Sequence, residues 1–169
     1  MRSAIQTFEK NNKVKPKKII VYRDGVSGSQ QGTIMVTEVK TLTDICKEDD
    51  IKLAYLIANK RVSARYFVNN GGRLSGALPG MYIDKKIVTS TGNVQDFFLV
   101  SQISRQGAAS PTHYHILWMD EGAFTKQDLI KLTYKLCYLY FHINAGIKVP
   151  APIQYAERLG TMLGDKVNS

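Results

Sequence analysis

The run Lys17-Lys18-Ile19-Ile20-Val21-Tyr22-Arg23-Asp24-Gly25-Val26-Ser27 constrains this chain more than any other stretch. Four consecutive apolar or aromatic residues, introduced by lysines and stopped by Asp-Gly, predict a short strand buried on both faces. Strands of that kind occur in parallel sheets covered by helices. Ligands collect at the carboxyl ends of the strands in such sheets, so an Asp leaving the strand there is placed for chemistry. Asp-Gly is equally a turn signal, and local sequence leaves both readings of Asp24 open.

Downstream segments complete the expected layers. Met35, Val39, Leu42 and Cys46 recur at spacings of 4, 3 and 4, one face of a helix. Leu53 to Ala58 is a second buried strand. Two strands joined by a helix form a βαβ unit with a parallel pair and a right-handed crossover. Before them, Met1 to Lys13 reads as the end of an amphipathic helix carrying Ile5 and Phe8. Val68 to Gly80 lacks periodicity and is expected to be an exposed loop. Met81 to Asp84, Asp96 to Ser101 and His113 to Trp118 have strand composition at hairpin spacing, which predicts antiparallel pairing on one side of the sheet. Thr125 with Asp128 resembles a capping box, and Leu129, Leu132, Leu136 and Tyr140 mark a helix face running to about His142. A last helix starts at Val149-Pro150-Ala151-Pro152. Its apolar stripe is Pro152, Tyr155, Ala156, Leu159, Met162 and Leu163, and Gly164 is its expected stop.

At 169 residues the chain has room for one domain with a substantial core. A formal charge of +9 favours a polyanionic partner, either nucleic acid or an anionic surface. Cys46 and Cys137 fall inside apolar helical patterns, as buried free thiols do. No apolar run approaches the roughly 20 residues that span a bilayer, so no membrane-spanning segment is expected.

Gln154, Glu157 and Thr161 share the polar face of the last helix. If Glu157 reached Asp24, the pair would offer Mg²⁺ or Mn²⁺ a hard oxygen site, although metal-assisted phosphoryl transfer normally uses more carboxylates. Lys60-Arg61-Val62-Ser63-Ala64-Arg65-Tyr66-Phe67 combines three cations with two aromatics, the residue types that hold a nucleic-acid backbone. His113 and His115 share one strand face at a spacing zinc can use, but sequence supplies no third ligand, which favours packing or hydrogen bonding. Phosphate-binding loop, nucleophile-elbow and kinase signatures are all absent.

Eight ordered motifs resemble the C-terminal half of the PIWI domain of Argonaute proteins. They are Y-R-D-G-V-S at Tyr22 to Ser27, K-R at Lys60 and Arg61 with R-x-F at Arg65 to Phe67, P-G-x-x-x-D at Pro79 to Asp84, and D-F-F-L at Asp96 to Leu99. Q-G at Gln106 and Gly107, P-T-H-Y at Pro111 to Tyr114, L-T-Y-K-L-C at Leu132 to Cys137, and V-P-A-P with Q-Y-A at Val149 to Ala156 complete the series. The last three look closer to the Piwi clade than to microRNA-type Argonautes.

The resemblance implies a partial RNase H-like PIWI fold over residues 1–169, a mixed sheet flanked by helices. It implies small-RNA-guided silencing, with a guide RNA, a complementary target RNA and the remaining Argonaute domains as partners, in cytoplasm or nucleus. In that family an Asp from a first strand, a Glu from a loop, the Asp of Y-R-D-G-V-S and a C-terminal His or Asp gather Mg²⁺ ions. Asp24 matches the third position. Glu157 stands at the fourth, where family members able to slice usually carry His. The first two precede Met1 in family order, so this chain is expected not to slice alone; a Mg²⁺-dependent endonuclease in the full-length context is the alternative. By resemblance, Lys60, Arg61, Arg65, Tyr140, His142, Lys148 and Gln154 line the guide-strand channel.

Overall fold

A computed structural model describes residues 1–25, 31–84, 95–104 and 107–167. Val26, Ser27, the expected Gly-Ser-Gln linker and Gln106 of the Q-G motif lie outside the described residues.

The chain opens with helix α1 (Arg2–Asn12), whose Ile5 is buried while Phe8 is exposed. Strand β1 (Lys18–Asp24) follows. Helix α2 (Gln31–Ile34) runs through a π-helical turn (Met35–Val39) into α3 (Lys40–Glu48). The 4-3-4 spacing from Met35 to Cys46 thus spans one continuous helical segment, with Ile34, Val39, Thr43 and Cys46 buried along it. Strand β2 (Lys52–Asn59) then pairs in parallel with β1, Asp24 opposite Ala58.

A two-stranded ribbon, β3 (Phe67–Asn70) and β4 (Arg73–Gly76), occupies the segment expected to be a loop. Gly71 and Gly72 take φ values of 61° and 91°, the left-handed backbone that a two-residue hairpin turn demands at both central positions. Its strands lack alternating apolar residues because most of their side chains face solvent, which is why periodicity does not reveal them.

Strands β5 (Tyr82–Ile83), β6 (Gln95–Leu99) and β7 (Thr112–Met119) pair antiparallel, as their spacing predicts. The main sheet has the order β1-β2-β7-β6-β5. Helices α4 (Lys126–Leu136) and α5 (Ala151–Val167) complete the chain.

Alternation along β2 explains the layers. Leu53, Tyr55 and Ile57 face α1 and the α2–α3 segment, meeting Ile5, Ile34, Val39 and Cys46. Ala54, Leu56 and Ala58 face the other way, joining Phe97, Leu99, Tyr114 and Ile116 beneath Leu129 and Ile130 of α4, Val149, and Ile153 of α5. Both strands are expected to be buried, and β2 is; β1 lends Ile20 and Tyr22 to one layer and Ile19 and Val21 to the other but is less deeply covered. Ile19 to Asp24 are only half-buried because β1 lies at an edge of the described sheet.

Thr125 caps α4 as expected, its hydroxyl accepting from the Asp128 backbone N–H. The buried face of α4 is Leu129, Ile130 and Thr133, continued by Cys137; Leu132 is exposed. This helix ends at Leu136, short of His142. Beyond it the Ile147 N–H donates to the Cys137 carbonyl, and Gly146 passes so close to the Ser101 carbonyl that an added Cβ would sit 2.4 Å from it. Folding back places Tyr140 with Ile147, Ala151 and Tyr155 in a small core, which satisfies apolar residues at helical spacing without a helix. In α5 the expected stripe packs only through Tyr155. Ala151 and Ile153 are buried, whereas Leu159, Met162 and Leu163 are exposed, and the helix continues past Gly164.

Candidate functional site at the carboxyl ends of the parallel strands

Parallel pairing brings the carboxyl ends of β1 and β2 to one edge. There Asp24 closes β1 and the chain leaving β2 supplies Lys60. Gly25 makes this junction possible: a Cβ would lie 2.6 Å from Asn59 Oδ1 and 2.9 Å from the Ala58 carbonyl. The Gly25 N–H donates to Asp24 Oδ1 at 2.9 Å. From the helical layer, α5 presents the face carrying Gln154 and Glu157. Glu157 turns toward the strand ends and meets Lys60.

Lys60 Nζ stands between the two carboxylates, 3.2 Å from Asp24 and in a close ion pair with Glu157. Burial pushes the Asp24 carboxyl upward; the Gly25 amide, Glu157 and the Lys60 ammonium outweigh it and leave Asp24 below its ordinary range. Burial disfavours the Lys60 charge, yet hydrogen bonds to Glu157 and Asp24 raise its pKa. All three side chains are about one-third exposed, so the trio borders solvent. Two carboxylates sharing one ammonium form an oxygen donor set suited to a cation, and Mg²⁺ or Mn²⁺ fits that chemistry once Lys60 withdraws.

The other site candidates surround this trio. Lys148 Nζ donates to the Lys60 carbonyl and to Ser110 Oγ. Burial lowers its pKa, and the Arg65 and Lys60 charges add to the effect, so three cations act on one another here. Arg65 donates to the Val62 and Ala64 carbonyls, holding its own loop in shape. Arg61 is exposed on the same segment. Tyr140 is buried and stacks on exposed His142, with ring centroids 5.0 Å apart; Tyr155 tilts against Tyr140 at 5.1 Å. Tyr140, Gln154, Glu157, Arg158, Thr161 and Met162 line an open cleft of about 670 Å³. Asp24, Lys60, Glu157 and Lys148 therefore form one linked group. Tyr140 and Gln154 join it through the cleft wall, His142 stacks on Tyr140, and Arg61 is exposed next to Lys60 in the chain.

Sequence reasoning assigns Lys60 only to phosphate binding and misses its position between the carboxylates. It also misses Asp96. On β6 and β7 the register sets Asp96 opposite His115 and Phe98 opposite His113. Asp96 Oδ2 accepts from His115 Nδ1 at 2.8 Å and lies 3.2 Å from His113 Nε2. Burial works against the Asp96 charge, but the two imidazoles bring its pKa down to about 2. The available signal is the pairing of D-F-F with H-Y-H, whose first and third residues share a strand face in each motif.

Similarity to known proteins covers almost the whole chain. The Piwi domain family model matches residues 1–168. Chicken (Gallus gallus) Piwi-like protein 1 is 37% identical over 172 residues, covering 99% of this chain and 20% of that protein. The crystal structure of Drosophila Piwi superposes with a TM-score of 0.81 at 32% identity, over 96% of this chain and 23% of that one. A Kluyveromyces polysporus Argonaute determined with a guide RNA gives a TM-score of 0.77 at 26% identity, over 94% of this chain and 21% of that one. The chain spans about a fifth of the length of the curated relatives it matches.

Proposed function

This chain belongs to the Piwi domain family, and from that premise we propose that residues 1–169 are part of a PIWI domain that binds guide and target RNA in small-RNA-directed silencing. One observation carries the reading: Lys60, Arg65 and Lys148 gather their positive charges beside the Asp24–Glu157 edge. A cluster of mutually repelling cations at a solvent border is stabilised by an anionic partner, and a backbone of regularly spaced phosphates supplies one. Lys148 is tethered to the Lys60 carbonyl, Arg61 is exposed on the same segment, and Tyr140, packed against His142 and Tyr155, lines the neighbouring cleft. The remaining Argonaute domains are the proposed protein partners, and the cytoplasm or nucleus the proposed compartment. Among the described residues no helix is long and apolar enough to cross a membrane.

Binding of the chain to single-stranded RNA, measured by filter retention across a salt series, tests this reading. Affinity is expected to fall steeply as salt rises, and flat affinity from low to moderate salt would overturn it.

As a chain carrying only Asp24 and Glu157 of the family's acidic set, it is proposed not to slice alone. The convergence of both carboxylates on Lys60 favours a second reading, in which the full-length protein is a Mg²⁺-dependent endonuclease. Asp24 and Glu157 would hold the ion, and bound Mg²⁺ would supply charge stabilisation for phosphoryl transfer. This chain's own residues orient those carboxylates: Gly25 sets the Asp24 oxygen, and α5 sets Glu157. Mg²⁺-dependent cleavage by the full-length protein, abolished by Asp24→Ala, is the expected result; equal cleavage by that variant would refute the reading.

A further inference from the structure

We propose that Asp96, His113 and His115 form a binding site for a first-row divalent transition metal, with Zn²⁺ the best-suited occupant. The site lies across β6 and β7, and its donors are independent of Asp24 and Glu157. Sequence alone shows two of the three ligands; the strand register adds the carboxylate. One ligand atom from each residue lies within 4.8 Å of the others.

The observation that points to a ligand is an imbalance of polar atoms. Asp96 is 5% exposed, and its Oδ1 is buried without a hydrogen-bond partner among the described residues. His113 Nε2 is likewise buried and unpartnered by hydrogen-bond geometry, although it stands 3.2 Å from Asp96 Oδ2. Buried polar atoms left unsatisfied are costly, and two of them in one cluster of three side chains call for a shared partner. A metal held by His113 Nε2 and by both oxygens of the Asp96 carboxylate meets both needs, with Oδ2 already beside the two imidazole nitrogens. Zn–N and Zn–O bonds of about 2.0–2.2 Å place tetrahedral ligand atoms about 3.3–3.6 Å apart, so separations of 2.8 and 3.2 Å require only a slight opening.

The rings are already held. His113 stacks on Phe98 with centroids 4.0 Å apart and planes 9° from parallel, and Phe98 meets Tyr66 edge-on. Two imidazoles and one carboxylate suit Zn²⁺ and its neighbours, whereas Mg²⁺ prefers an all-oxygen shell. Both His side chains retain some exposure, 18% and 14%, which leaves water as the remaining ligand.

Calorimetric titration of the metal-stripped chain with Zn²⁺ tests the site, with Co²⁺ absorption as an optical readout. About one equivalent of Zn²⁺ is expected, bound at least about 100-fold more tightly than Mg²⁺. Asp96→Asn and His115→Gln should each weaken binding by at least about tenfold, and Asp24→Asn should leave it unchanged. Absence of Zn²⁺ binding, or affinity indifferent to both site variants, would overturn the proposal. X-ray absorption of the Zn²⁺-loaded wild-type chain decides the matter even if a variant fails to fold. Two imidazole nitrogens in the shell support the site, and a shell of sulfur, or of oxygen alone, sinks it.

Discussion

The Lys60 ammonium lies 3.2 Å from the Asp24 carboxylate, tying the residue that closes β1 to the segment that leaves β2. Because the same ammonium also pairs with Glu157, a lysine occupies the position that a metal ion between these carboxylates would take. Lys60→Met removes that competitor. Mn²⁺ affinity, followed by electron paramagnetic resonance, is expected to rise by about tenfold, or about 1.4 kcal/mol. Unchanged affinity would mean that Lys60 does not guard a cation position.

Arg61 provides a cleaner probe of nucleic-acid binding, since it is exposed and has no ion pair with either carboxylate among the described residues. Arg61→Ala should weaken single-stranded RNA binding regardless of RNA sequence and reduce the slope of log affinity against log salt by about 0.7, the effect of one phosphate contact. A slope equal to that of the unmodified chain would remove Arg61 from the interface.

Asp96 makes stability depend on pH. Its folded pKa of about 2 lies below the ordinary 3.8, so the folded state gains when the group is ionised. That contribution, about 2 kcal/mol, is fully present above the unfolded pKa and is lost as pH falls from about 4 to about 2. Urea unfolding of the chain and of Asp96→Asn at pH 6 and at pH 2.5 should show a smaller acid loss in the variant. Equal losses would place the acid sensitivity elsewhere.

Gly25→Ala should strain the site without altering any charge. The new Cβ would press on the Ala58 carbonyl and Asn59 Oδ1, displacing the backbone that orients Asp24. A loss of about 1–3 kcal/mol is expected, comparable to other overpacked positions. Thermal unfolding should register it as a lowered Tm, whereas Gly32→Ala, with open space around the new Cβ, should not show that steric loss.

By itself the sequence determined which segments form the main layers. Continuous apolar runs at Ile19 to Tyr22 and Leu53 to Ala58, the 4-3-4 spacing from Met35 to Cys46, and the Thr125 cap are local signals, and local backbone preference obeys them. Eight motifs in order also made the family legible, because order along a chain is itself sequence information. Burial was less accessible. How deeply β1 and β2 are buried depends on which strand has two neighbours in the sheet, and only the order β1-β2-β7-β6-β5 decides that. The α5 stripe failed for the same reason. Apolar spacing defines a face but not its direction, and packing over the β1 edge turned Glu157 toward Lys60 while Leu159, Met162 and Leu163 met solvent. Asp24 and Glu157 were visible as separate acids more than a hundred positions apart. Their meeting at Lys60, and that of Asp96 with two histidines, came from the tertiary structure, because long-range register and helix docking join groups whose chemistry no local pattern connects.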